Sequence, residues 1–187
     1  RADSVYSTVG GGWSNRAGGI ESTVGGGDRN MASGIQSTVG GGIIDTASGI
    51  RSTISGGIDN NADGYASTIA GGEQNASSGD KSFVGGGRLN TASGSHATVP
   101  GGYFNTASGD YSYAAGRKAN AVHAGTFVWG DSTDAHVSST KPNQFTIRAT
   151  NGVNLVSDAD PADTIAVGER FRDNGIVAWG RVSYSGG

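Results

Sequence analysis

Ser7-Thr8-Val9-Gly10-Gly11-Gly12 returns, intact or slightly altered, at Ser22, Ser37, Ser52, Ser67, Ser82, Ala97 and Ser112. Each step is fifteen residues, giving eight copies in a row. A fixed period of this length marks a stacked repeat architecture, in which one repeat cannot bury its apolar face alone. Every other motif is therefore read against the repeat.

Aligned at that period, the copies form ranks. The apolar rank is Val9, Val24, Val39, Ile54, Ile69, Val84, Val99 and Ala114. Two residues on stands an unbroken glycine rank from Gly11 to Gly116. An amide rank follows: Asn15, Asn30, Asp45, Asn60, Asn75, Asn90, Asn105 and Asn120. A rank of small residues comes next, Ala17 to Ala107 with Ser77 in one place, and then a second glycine rank from Gly19 to Gly109.

Runs of glycine exclude a helix, because each costs about 1 kcal/mol relative to Ala in a helix interior. Ser-Thr-Val suits a short strand with β-branched residues, and the glycines suit turns. One repeat then makes one coil, and coils stack with strands in parallel register at about 4.8 Å each. The stacked amides can hydrogen-bond up their ladder; Asp45 keeps the turn but lacks the donor. The expected fold is all-β, a parallel β-roll (solenoid) of 15-residue repeats over residues 1–124.

Composition agrees. Of 187 residues, 35 are glycine and only 34% are apolar, against about 45–50% in globular domains. The every-third glycine of collagen is absent, and regularly placed Val and Ile oppose disorder. The net charge of −3 without a basic cluster opposes nucleic acid as a partner. No cysteine is present, so disulfides and thiolate metal sites are excluded. No stretch approaches the roughly 20 apolar residues that cross a bilayer, so no direct membrane insertion is expected. The repeat running from the first residues and the Ser-Gly-Gly ending read as a piece of something longer.

One Val or Ile and one Ala per coil is little burial to set against ordering fifteen residues. The expectation is that several chains pack side by side and share the apolar ranks. In the Ser-Thr-Val strand, Val points inward and Thr outward, with Ser only weakly inward.

After Ala124 the composition changes. Phe127, Val128 and Trp129 suit a cap on the roll. Phe145, Ile147 and Ala149 alternate with polar residues before Asn151-Gly152, a hairpin signal. A loop at 158–163, strands at 164–167 and 176–184 and a turn at 173–175 complete an expected small C-terminal β domain over 125–187.

Candidate sites are few. His96, His123 and His136 are scattered, and a narrow coil offers no cleft for a triad. Gly25 to Asn30 lacks both the nonapeptide of calcium rolls and the Gly-Lys-Ser/Thr ending of phosphate loops. No catalytic residue, metal or cofactor is expected, and the chain reads as a non-enzyme. A glycosidase would need two carboxylates about 5–10 Å apart across a groove. The Thr rank (Thr8, Thr23, Thr38, Thr53, Thr68, Thr98) raises an ice-binding solenoid as one alternative, although Phe83 and Tyr113 interrupt it. Recognition is expected on the variable ranks, with Trp13, Tyr103 and Tyr111 as candidate contacts to sugar or protein. Ile20, Ile35 and Ile50, and Ile43 and Ile58, read as inter-chain core.

Ser112-Tyr113-Ala114-Ala115-Gly116-Arg117-Lys118-Ala119-Asn120-Ala121 resembles the S-x-A-x-G-x-x-A-x-A motif of trimeric autotransporter adhesin heads, the YadA-like heads. The resemblance covers roughly residues 5 to 124. It implies a left-handed parallel β-roll in each of three chains around a common axis. It further implies an obligate homotrimer, extracellular on a bacterial cell surface, attaching to a host, cell or matrix receptor of protein or glycan nature. The usual repeat of that family has fourteen residues, whereas this one has fifteen, with an extra Gly. No counterpart of the family's neck, coiled-coil stalk or membrane-anchor barrel is read here. Similar repeats occur in phage tail fibres. Gly125 to Asp131 and Gln144 to Val153 resemble segments that follow such heads in fibre proteins, so a tail-fibre receptor-binding segment is the other alternative.

Overall fold

Two-residue strands recur twice per coil and stack into two parallel sheets. The structure, a computed structural model, describes residues 1–153. The first sheet runs Thr8–Val9, Thr23–Val24, Thr38–Val39, Thr53–Ile54, Thr68–Ile69, Phe83–Val84, Thr98–Val99, then Tyr113–Arg117, Phe127–Gly130 and Phe145–Arg148. The second begins at Arg16–Ala17 and Met31–Ala32 and runs to Thr106–Ala107, Ala119–Ala121 and Val137–Ser138. A third line of single bridges joins Trp13, Asp28, Ile43, Ile58, Glu73, Arg88 and Tyr103. All pairings are parallel, with Thr8 on Thr23 and Val9 on Val24 setting the register. The fold is a parallel β-solenoid, with no helix among the described residues.

The Val/Ile and Ala ranks face each other from the two sheets, and Val24, Val39, Ile54, Ile69, Val84, Val99 and Ala114 are fully buried. Val9, in the first coil, is half-buried against them. These ranks are enclosed by one chain, so the expectation that chains must share them to cover them does not hold. Part of the reason is a second, polar filling. Ser22, Ser37, Ser52, Ser67 and Ser82 are as buried as the valines, against the expectation that Ser would face inward only weakly. Ser22, Ser37 and Ser82 donate their hydroxyls to the carbonyls of Gly19, Gly34 and Gly79 at 2.7 Å. A hydroxyl that closes a tight corner in this way is compatible with an interior that a bare hydroxyl would not tolerate.

The corners explain the glycines. Of the three in each Gly-Gly-Gly run, the middle one (Gly11, Gly26, Gly41) meets nothing within 4 Å of an added Cβ. The third (Gly12, Gly27, Gly42, Gly57, Gly72, Gly87, Gly102) has φ between +81° and +122°. At Gly27 a Cβ would stand 2.2 Å from the Gly42 carbonyl oxygen of the next coil. The first glycine is also crowded, with a Cβ on Gly25 2.3 Å from Gly40 O, but Ser55, Ala70 and Pro100 stand at that position in other coils. The third alone joins the close contact to a positive φ in every coil from Gly12 to Gly102, one residue later than the rank read from the alignment.

The fifteen-residue step also changes. Gly102 pairs with Gly116, Thr106 with Asn120 and Tyr113 with Phe127, each fourteen residues apart. One corner residue is dropped, so Val99-Pro100-Gly101-Gly102 is answered by Ala114-Ala115-Gly116. Asn120 consequently falls out of the amide rank. Ala119 takes its place and donates its N–H to Asn105 Oδ1 at 2.9 Å. The shortened coil is the one whose sequence resembles the fourteen-residue head repeat.

The first sheet does not stop at Ala124. Phe127–Gly130 and Phe145–Arg148 add two further parallel rungs, and Arg1–Asn151 forms one unit. The described partner of Phe145–Arg148 is thus a solenoid rung. The expected loop, turn and strands between 158 and 184 lie outside the described residues.

Candidate functional site

The amide rank is the most regular polar feature of the interior. Asn30 Nδ2 donates to Gly26 O at 2.9 Å within its own coil and to Gly42 O at 2.8 Å in the next. Its Oδ1 accepts from the backbone N–H of Asp45 at 2.9 Å. Asn15, Asn75, Asn90 and Asn105 repeat the pattern. One side chain thereby satisfies three backbone groups at a corner where no strand could. Asp45 occupies the rank without an amide hydrogen. Its Oδ1 accepts from Asn60 N and Nδ2, both at 2.9 Å, while its Oδ2 has no partner. Burial pushes the Asp45 carboxyl above its ordinary value, against the opposing hydrogen bonds from Asn60.

Between the ranks, two non-glycine residues per coil adopt φ near +55° to +60°. One set is Tyr6, Glu21, Gln36, Arg51, Ala66, Lys81, His96 and Tyr111; the other is Ser14, Arg29, Ile44, Asp59, Gln74, Leu89, Phe104 and Lys118. The left-handed region is unfavourable for such residues. The turn chemistry of the sequence points to glycine, so these corners were not anticipated. Cross-coil backbone bonds hold them: Gln36 N–H reaches Ile20 O, and Arg51 N–H reaches Ile35 O, both at 2.8 Å.

The variable ranks lie on these corners and are exposed, but the three aromatic recognition candidates do not converge. Trp13 is 67% exposed in the first coil. Tyr103 stands six coils away on the same bridge line, about 29 Å at strand spacing. It lies beside Phe104 and 5.9 Å from the Arg117 guanidinium. Tyr111 is on the other corner, stacked on His96 at 5.2 Å. They cannot form one small-ligand site.

Two features at the C-terminal rungs escaped the alignment because the spacing there is fourteen and then eighteen. Tyr113, Phe127 and Phe145 continue the outward Thr rank and stack ring on ring at 4.7 and 4.6 Å. Only Phe83 and Tyr113, as interruptions of that rank, hinted at it. Beside the stack, Asp131 gathers Thr150 Oγ1 at 2.5 Å, Thr150 N at 2.8 Å, Thr133 N at 3.0 Å and Arg148 Nε at 2.9 Å. Hydrogen bonds from Thr150, then Thr133, hold the Asp131 carboxyl well below the usual carboxylate range. A shallow concavity of about 460 Å³ lies against this cluster, lined by Gly116, Arg117, Trp129, Gly130, Asp131 and Ser132.

Hydrolytic chemistry finds little footing among the described residues. His96 Nδ1 meets Ser95 Oγ at 2.9 Å on the exposed surface, and His123 Nδ1 meets Ser139 Oγ at 3.0 Å. Neither ring has a carboxylate hydrogen-bonded behind it among the described residues. No group of three His, Asp or Glu side chains suited to a metal ion occurs there either. The Thr rank presents a single Thr per coil along one ladder, giving way to Phe83 and then to the aromatic stack.

Among known families, the model of the ubiquitous surface protein adhesin repeat matches residues 22–34. No curated protein matches the chain. The matched segment starts at Ser22 and ends at Gly34, covering the Val strand, the glycine corner, the Asn30 amide and the Ala strand of one coil. This match and the parallel solenoid fit a trimeric autotransporter adhesin-like repeat protein, and together they support an adhesin-like repeat fibre segment.

Proposed function

We propose that this chain is the homotrimeric, adhesive part of an extracellular fibre, presenting three identical repetitive faces to a protein or glycan on a host, cell or matrix surface. The observation that carries the reading is the pair of apolar ridges left uncovered on the corners. Ile20, Ile35 and Ile50 are 44–46% exposed and continue into Tyr65; Ile43 and Ile58 form the second ridge. In one chain by itself these side chains stay close to half exposed, whereas sister chains laid side by side bury the remainder. The adhesin repeat match supports a surface location and an attachment role of the same kind. Three weak faces on one rigid support bind by avidity, which suits a ladder of similar corners better than a single pocket. The chain acts in this reading as a structural binder and not as an enzyme.

Sedimentation equilibrium decides the central point. The expected mass is three times the 18.6 kDa of one chain. A stable monomer at micromolar concentration sinks the trimer and leaves the isoleucine ridges without a purpose.

A further inference from the structure

Seven positions of the internal ladder carry an amide or its replacement in shortened form; the third carries a buried carboxylate. Asp45 is fully enclosed, and its Oδ2 sits where its neighbours hold Nδ2. A Cβ on Gly42 would lie 2.2 Å from Asp45 Oδ2 and 2.5 Å from Gly57 O; on Gly27 the corresponding atoms are Asn30 Nδ2 and Gly42 O. By the register of the ladder, the acceptors facing this position are Gly41 O and Gly57 O. In the coils on either side, amide nitrogens fill the equivalent gap at 2.8 and 2.9 Å to the next coil. An ionised carboxylate presents a lone pair to those carbonyls, and Oδ2 accordingly has no partner. One difference shows one coil on: the bond from Asn60 Nδ2 to Gly56 O is 3.5 Å, against 2.8–3.1 Å for the corresponding bonds of Asn15, Asn30, Asn75, Asn90 and Asn105.

We propose that Asp45 is a proton-operated joint of the solenoid. With a proton on Oδ2 it donates to Gly41 O or Gly57 O and continues the ladder as an asparagine would. Without that proton the third corner is held by Oδ1 alone and loosens.

The surroundings favour the protonated form. Ile43 and Ile44 flank the corner on its own coil. On the preceding coil Asp28 and Arg29 pair with each other at 3.2 Å. On the following coil Asp59 adds a like charge that makes ionisation harder, and Asn30 and Asn60 above and below are neutral. A carboxyl raised by folding contributes stability that is present in full below its unfolded value and is lost as the pH climbs through the raised value. The joint is therefore closed in acid and slack at higher pH, opposite to an ion-paired carboxylate.

Thermal unfolding of the whole chain and of Asp45→Asn, from about pH 4 to about pH 8, tests this. The two are expected to melt together at the acid end. With rising pH a gap of several degrees should open, with the unaltered chain lower; carboxylates common to both cancel in the difference. A gap that stays constant, or an Asp45→Asn chain less stable at neutral pH, overturns the proposal, as does failure of that variant to fold. Carbon-detected titration of the Asp45 carboxyl in the unaltered chain is the second measurement. A midpoint at or below the ordinary carboxylate range likewise overturns it.

Discussion

The seven regular coils and the three rungs at the C-terminal end of the described solenoid solve the same problem differently. In six of the seven regular coils the outer face carries Thr, with Phe83 in the other, and amides and serines fill the corners of a thin interior. From Tyr113 onward the strands lengthen, the step becomes fourteen and then eighteen, and ring stacking replaces the Thr line. The amide ladder ends at Ala119, and Arg148 of the Asp131, Arg148 and Thr150 cluster donates to the Arg117 carbonyl two residues before it at 3.3 Å. The difference teaches that this solenoid is not bound to a period. It is bound to the inward ranks, and corner residues can be dropped or added so long as those ranks stay in line. Gly116 keeps the positive φ of its predecessors although its number breaks the fifteen-residue count.

The sharpest way to break that comparison lies in two adjacent glycines. Gly27→Ala places a Cβ 2.2 Å from a backbone oxygen at φ +91°, and is expected to cost about 3 kcal/mol or more or to prevent folding. Gly26→Ala, with open space around it, should stay within about 0.5 kcal/mol. Denaturant melts read both; equal costs would mean that the corner, and not the third glycine, sets the fold. Next in size, Ile54→Ala in the sealed interior should lose about 2–4 kcal/mol. Phe127→Ala in the outer stack should lose only about 1–2 kcal/mol, because its ring is half in water. If the aromatic change costs more, the terminal rungs are the main support of the fold and the division drawn above is reversed.

Acid sharpens the comparison further. Asp131 is held below its ordinary range, so its stabilising share is present above the unfolded carboxylate value and is lost as the pH falls through the lowered one. Asp131→Asn should lower the melting temperature at neutral pH, with the gap narrowing in strong acid. A gap that widens there excludes the role given to Thr150 and Thr133. A small effect of opposite sign is expected at Ile44, a β-branched residue at φ +61°. Ile44→Gly should raise stability by about 1 kcal/mol, read as a higher denaturant midpoint, since glycine accepts the left-handed corner. A loss would show that the Ile44 side chain is covered by something in solution, for which the trimer is the ready explanation.

Much of the fold was legible. Ser-Thr-Val with its glycine run gave the strand, its parallel register and the inward Val line, because a two-residue strand has only one way to bury a branched side chain. Less was legible at the candidate site. Trp13, Tyr103 and Tyr111 are exposed, as variable positions should be, but their distance along the stack is a matter of coil count. The burial of Ser22, Ser37 and Ser82 was underestimated because a hydroxyl looks polar until a corner carbonyl is placed 2.7 Å away; Ser52, Ser67 and Ser112 are as buried without such a partner.

The sequence alone determined the stacked coil, the two apolar ranks and the amide ladder, since these follow from spacing and from what each side chain can bury or bond. Only the tertiary structure decided which of three glycines is obligatory, which non-glycine residues turn left-handed, and where the count slips to fourteen. Those depend on the close approach of one coil's carbonyls to the next coil's corner, a distance that no residue encodes until its neighbour is stacked on it.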